Sequence, residues 1–220
     1  MKHDLAVKYA EEVKWLLKPF VERVEIAGGV RRGKPDPHDI ELVAIPKVKD
    51  VASGDMDLGT MQPRVVRTNG LDWFMRKVCD PKAGTNFTPA PPNKAGSRAP
   101  FSERYYKFLY KGQPVDLFAV LPPAQFGAIF TIRTGDAGYS HKLVQQGYDK
   151  GIHEVDGHLE KWTMDGKPVT WIVPCHGMVR EVLYTPEEET YFQLLGVPWV
   201  PPAQRTTTET TAEEWAATAP

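Results

Sequence analysis

The stretch EIAGGVRRGKPDPHDIELVAIPK, residues 25–47, decides how the rest of the chain is read. It passes from a β-prone segment through Gly28-Gly29 into Arg31, Arg32, Gly33 and Lys34, and then into Asp39-Ile40-Glu41-Leu42. Side chains alternate along a strand, so Asp39 and Glu41 share one face while Ile40 and Leu42 take the other and point to the core. Two neighbouring carboxylates repel, and a hard divalent cation with oxygen ligands, Mg²⁺ or Mn²⁺, relieves the repulsion. Asp116 in PVDLFAV repeats the setting, a lone acid between Val115 and Leu117 in an apolar strand. Three such acids on adjacent strands suit two ions about 3.5–4 Å apart around a phosphoryl centre. Alternating acids also occur as the wet face of half-exposed strands. The turn ahead of the pair weighs against that plain explanation. Its glycines let backbone approach a ligand, a short helix starting there leaves N–H groups free for an anion, and Arg31, Arg32 and Lys34 add charge suited to a triphosphate.

The whole chain bounds this reading. Its 220 residues, 41% of them hydrophobic, suffice for one good core or two small lobes sharing an interface. The formal net charge of −1 gives no global pull toward nucleic acid. Residues 47–111, however, hold twelve Lys/Arg against six Asp/Glu, so any basic surface is local. Cys79 and Cys175 stand far apart with no CxxC, which excludes a disulfide framework and points to a reducing cytoplasm. No apolar run approaches the roughly 18 residues of a membrane span.

Along the chain, Leu5, Tyr9, Val13, Leu16, Leu17 and Phe20 recur at helical spacing, with Asp4 as N-cap. VERVEIAGG and DIELVAIP read as strands. Residues 47–68 have no clear period, GLDWFMRKVCD reads as a short helix, and 81–100 as a loop rich in Pro, Gly and Ala. RYYKFLYKGQPVDLFAV gives a hairpin turning at Gly112-Gln113, in which half of Tyr105, Tyr106, Phe108 and Tyr110 belong to the core. Pro122-Pro123 opens a helical region interrupted at Gly135. Asp156-Gly157 and Asp165-Gly166 mark turns of a small antiparallel sheet. TPEEETYFQLLG carries a capping box, Thr185 as N-cap with Glu188 at N3, and Gly196 as its stop. His153, His158, Cys175 and His176 match no zinc spacing, and His38 is either a neighbour supporting Asp39 or simply exposed.

Together these motifs carry a resemblance. GGVRRGKPDPHDIELVAIP resembles the Gly-Ser, Arg-Arg-Gly and paired-acid motif of the polymerase β nucleotidyltransferase superfamily. VDLFAVLPPAQFGAIFTIRTGDAGYSHKLVQQG is similar to the family X DNA polymerase segment from the third catalytic Asp through the Thr-Gly nucleotide-binding turn. TPEEETYFQLLGVPWVPPAQR resembles the end of that family's thumb lobe. The likeness spans about residues 20–205.

It implies an α+β fold: a nucleotidyltransferase palm with a small mixed β-sheet flanked by helices over residues 1–122, a small α/β thumb-like lobe over 123–205, and a disordered acidic tail over 206–220. It implies Asp39, Glu41 and Asp116 as catalytic residues holding two Mg²⁺, with Mn²⁺ as substitute, and Asp116 as the carboxylate nearest the primer end. Gly28, Gly29, Arg31 and Arg32 take the triphosphate positions. Ile132, Arg133, Thr134 and Gly135 take the turn against sugar and base, and Ser140 and His141 open the helix facing the nascent pair. Departures from the family pattern are Gly29 where Ser is usual, Glu41 where Asp is usual, Ile132-Arg133 in place of Tyr-Phe, and Val144 in place of Arg. The implied enzyme is a monomeric minimal polymerase that takes dNTP or NTP, with weak discrimination between them, and a DNA primer. The alternatives are a small nucleotidyltransferase acting on a protein or small molecule, and a catalytically weak DNA-end-binding module.

Overall fold

The computed structural model describes residues 1–57, 59–91, 101–170 and 177–207. The fold is mixed α+β, built on a mixed sheet with helices on its faces. Helix α1 (His3–Leu17) begins one residue before Asp4; Lys2 is its N-cap and makes no side-chain cap bond, so Asp4 lies within the first turn instead of capping it. A 3-10 turn (Lys18–Phe20) leads into β1 (Val21–Ala27), the single-turn α2 (Gly28–Arg31) and β2 (Ile40–Pro46).

Residues 47–69, aperiodic in sequence, form a two-stranded antiparallel ribbon of β3 (Val48–Asp57) and β4 (Gln62–Asn69). Helix α3 (Gly70–Val78) follows, capped by Asn69, whose side-chain oxygen accepts from the Leu71 and Asp72 N–H groups. Next come β5 (Phe87–Pro89), β6 (Phe101–Ser102), β7 (Tyr105–Tyr110) and β8 (Gln113–Ala119). The principal sheet has the order β1-β2-β8-β7-β5, with β6 also on β7; β2 and β8 are parallel and the other pairs antiparallel.

Alternation sorts this sheet's two faces. Ile40, Leu42, Val115, Leu117, Tyr106 and Phe108 are fully buried on the face covered by α1 and α3, which contribute Ala6, Ala10, Val13, Leu17, Leu71 and Met75. Tyr106, Phe108 and Tyr110 of β7 are thus core, three of the four aromatics where half were expected, because they alternate onto one face, while Tyr105 lies on the opposite face against Phe118. On that opposite face Ala27, Val43 and Val120 are covered by Phe126 and Phe130 of α4 (Phe126–Thr134).

The second half continues with α5 (Ala137–Tyr148), β9 (Ile152–Val155), β10 (His158–Met164), β11 (Lys167–Pro168), β12 (Val179–Leu183) and α6 (Glu188–Leu195). The strands form an antiparallel sheet around β10, and its core gathers Ala128, Tyr139, Leu143, Ile152, Leu159, Tyr191, Phe192 and Leu195. Asp156-Gly157 and Asp165-Gly166 both take left-handed φ at the two turn positions, the geometry that matches strand twist in tight hairpins. Lys111-Gly112 does the same, so the β7–β8 hairpin turns one residue earlier than Gly112-Gln113.

The capping box at α6 does not form. The helix starts at Glu188 with Glu187 as N-cap and no side-chain cap bond; Thr185 is buried and hydrogen-bonds Gln125 instead. Glu188 is drawn into an ionic network, described below. Gly196 does stop α6, at φ 60°.

Candidate active site

The acids come together on the sheet face that α4 only partly covers. Asp39 lies just before β2 and Glu41 is its second residue, while parallel pairing places Asp116 of β8 directly beside Glu41. All three are partly buried, and the Asp116 side chain is only 14% exposed. Their core-facing neighbours Ile40, Leu42, Val115 and Leu117 fix the orientation, because reversing it would bury three charges.

The electrostatics are those of crowded anions. Burial and the charge of Asp39 push the Glu41 carboxyl up to about 7, with Asp116 adding to the rise and Arg133 and Arg32 opposing it. Burial also raises Asp116, against the pull of Lys107 and the Tyr105 hydroxyl, and Asp39 raises it further. Asp116 Oδ1 is buried without a hydrogen-bond partner and has the Lys107 ammonium 3.7 Å away. An oxygen left open in this way beside two more carboxylates is a fitting donor for Mg²⁺ or Mn²⁺. As the side chains stand, no group of three acidic, His or Cys residues among the described residues converges closely enough to grip an ion. Glu41 leans on the glycine turn instead: a Cβ on Gly28, whose φ is +58°, would lie 1.7 Å from Glu41 Oε2.

The residues assigned to nucleotide contacts separate into two groups. Gly28, Arg32 and Arg133 border the acids, and Gly29 follows in the same turn with its open side toward Lys34 and Pro37. Arg32 donates from Nη1 to the Thr134 carbonyl at 2.6 Å, and Arg133, exposed, lays its guanidinium 4.0 Å over the Phe118 ring. The others, His141 excepted, are engaged in packing. Arg31 donates to Glu188 through both terminal nitrogens, at 2.8 and 2.6 Å, and to the Thr134 hydroxyl at 2.8 Å. Thr134 is fully buried, Ile132 packs against the second core, and Ser140 donates to the Ile132 carbonyl at 2.8 Å. Gly135 ends α4 so tightly that a Cβ there would lie 2.6 Å from Ser140 Oγ, and His141 is exposed on α5.

Arg31 belongs to a network that ties the two halves together. Glu188, 5% exposed, also accepts from Arg205 Nη1 at 2.8 Å and from the Trp199 ring nitrogen at 3.3 Å, and Arg205 is fully buried. A second tie runs from Arg23 to Glu187 at 2.7 Å. Asp136 caps α5 and accepts from the backbone and hydroxyl of Thr207, both at 2.8 Å, so the packed chain reaches at least Thr207.

Lys107 was not singled out by sequence. Its signal is the Lys111-Gly112 turn: a tight hairpin there sets Lys107 opposite Asp116, whereas a turn one residue later sets Leu109 there. Of the described part of the basic stretch, Arg67 pairs with Asp50, Arg76 with Asp72 and Lys111 with Glu12, while Lys47, Lys49, Lys77, Lys82 and Arg104 are exposed, Lys49 and Lys77 lying over the Trp73 ring and Arg104 donating to the Pro122 carbonyl. His153 is buried against Trp162 and bonded to the Val169 carbonyl, and His158 to Glu160; His38 is exposed, and Cys175 and His176 lie outside the described residues. No helix among the described residues is long and apolar enough to cross a membrane. Compared with known proteins, the chain matches no model of a protein family and no curated sequence, so the reading of this face rests on its own geometry.

Proposed function

We propose that the chain is a nucleotidyltransferase that adds nucleoside monophosphates from a dNTP or NTP to the 3′-hydroxyl of a nucleic acid, a DNA primer in the simplest case, with the sheet half as palm and residues 123–205 as thumb-like lobe. The observation that carries this reading is the parallel register of Glu41 and Asp116, next to Asp39, on a face bordered by Arg32, Arg133 and a glycine turn. Asp39, Glu41 and Asp116 would hold two Mg²⁺ or Mn²⁺ ions. Those ions, when bound, neutralise charge on the attacking and leaving oxygens.

The chain's own residues do the rest. Arg32 and Arg133 hold the anionic triphosphate near the acids, and the charge-assisted bonds they offer suit phosphate oxygens. Gly28, with no side chain, keeps the turn close to Glu41. The 3′-oxygen attacks the α-phosphorus, the bond to the bridging α–β oxygen breaks, and pyrophosphate leaves; the hydroxyl proton passes to the Asp116 carboxylate. Arg31 and Glu188 set the second lobe against the turn, so Arg133 arrives at the acids from α4. Primer extension with a labelled 3′-end, Mg²⁺ and each nucleotide tests the reading. Asp116→Asn should lower incorporation at least a hundredfold with the fold intact; activity within tenfold of wild type would refute it.

A further inference from the structure

We propose that the Lys107 ammonium is the resident counter-cation of the acid face, holding Asp116 until a divalent ion displaces it. The inference rests on the reading above for the identity of that ion. The tight turn at Lys111-Gly112 puts Lys107 and Asp116 directly opposite each other in neighbouring strands, where their side chains share a face.

The pair is held by charge and not by a closed hydrogen bond. Lys107 Nζ stands 3.7 Å from Asp116 Oδ1, and that oxygen has no hydrogen-bond partner. At the end of the same hairpin, Lys111 meets Glu12 at 2.6 Å, a bonded pair with nothing left to exchange. The looser contact keeps Asp116 oriented while its lone pairs stay available. Lys107 comes from the solvent side, 39% exposed against 14% for Asp116, and its four-carbon stem lets the ammonium swing away without backbone movement.

This explains why the three carboxylates are adjacent yet not gathered around one point. Asp116 is turned to Lys107 and Tyr105, and Glu41 to Gly28. An ion approaching Asp116 meets a positive charge already in place, so the free chain binds divalent metal weakly. Release of the ammonium couples metal entry to an anionic substrate that can receive it.

The test measures Mn²⁺ binding to the full chain without nucleotide, by the loss of the free-ion electron paramagnetic resonance signal, with calorimetry as a second readout. Lys107→Met should bind Mn²⁺ at least tenfold more tightly than wild type, Lys107→Gln should do the same, and Lys107→Arg should stay within threefold of wild type. Adding Asp116→Asn to Lys107→Met should remove the gain. If both neutral variants bind within threefold of wild type or more weakly, or if Lys107→Arg behaves like them, the inference is overturned. The acid face survives as a metal site in that case provided Asp116→Asn still weakens binding. Mn²⁺ binding that ignores Asp116→Asn in every background overturns the inference and the two-metal reading together.

Discussion

Replacing Glu188 with Gln tests the junction that positions the second half of the chain. Burial alone would raise this carboxyl, but hydrogen bonds from Arg31 and Arg205 overrule it and hold Glu188 at about 2. The difference from an ordinary carboxyl near 4.5 corresponds to about 3 kcal/mol of folding stability at neutral pH. The side chain is 5% exposed, so solvent screens little of it. Removing one partner of a buried ion pair costs about 3–5 kcal/mol by general experience, since the remaining charge, here the fully buried Arg205, is left uncompensated. At about 2–4 °C per kcal/mol for a chain of this size, Glu188→Gln should lower the melting temperature by about 6–12 °C at pH 7. Because the folded-state value is depressed, the wild-type advantage is complete above about pH 5 and should shrink as pH falls from about 4.5 to about 2. Thermal unfolding followed by circular dichroism from pH 2.5 to 8 measures it. A loss below 2 °C at pH 7, or a gap that persists undiminished at pH 2.5, would refute the reasoning.

Glu41 should behave in the opposite sense. Its folded-state value is raised to about 7, so folding is favoured below the ordinary range and that advantage is lost as pH rises through 7. Glu41→Gln should therefore raise the melting temperature at pH 8, by about 6–12 °C for about 3 kcal/mol, with no gain at pH 4; a gain that does not change with pH would show packing and not charge at work. Gly28→Ala should destabilise by about 1–3 kcal/mol in urea titration, since the residue holds φ +58° and a Cβ would collide with Glu41 Oε2; unchanged stability would mean that the turn relaxes freely.

The strands bearing the acids were legible because burial on one face selects strict alternation: Ile40 and Leu42, like Val115 and Leu117, are core on both sides of their carboxylates. The β3–β4 ribbon was not, because it stands outside the main sheet with Val48, Met56 and Met61 exposed, so nothing selects a period of two there. The capping box failed for a different reason. Glu188 has the right spacing to cap its own helix, but two arginines from distant sequence offer charged donors that outbid a backbone N–H. Lys107 was hidden by a one-residue misplacement of its turn, which changes the residue facing Asp116 although both strands are correctly found.

Two glutamates of this chain have opposite electrostatics. Glu188 and Glu41 both approach arginines of the segment that follows Gly29, yet one is held at about 2 and the other pushed up to about 7. Arg31 closes on Glu188 with two short bonds, and Arg205 adds a third. Arg32 and Arg133 act on Glu41 only through space, with Arg32 bonded to the Thr134 carbonyl and Arg133 lying over Phe118. Folding stability alone would have favoured closing those contacts too. A face kept with raised carboxyl groups and an unbonded buried oxygen, beside a junction in which both Glu188 oxygens are bonded, is what a site for an external cation and an anionic substrate requires. The adjacent arginines therefore divide the work: Arg31 ties the second half of the chain to the glycine turn through Glu188 and Thr134, and that packing brings Arg133 to the acids while Arg32 remains beside them.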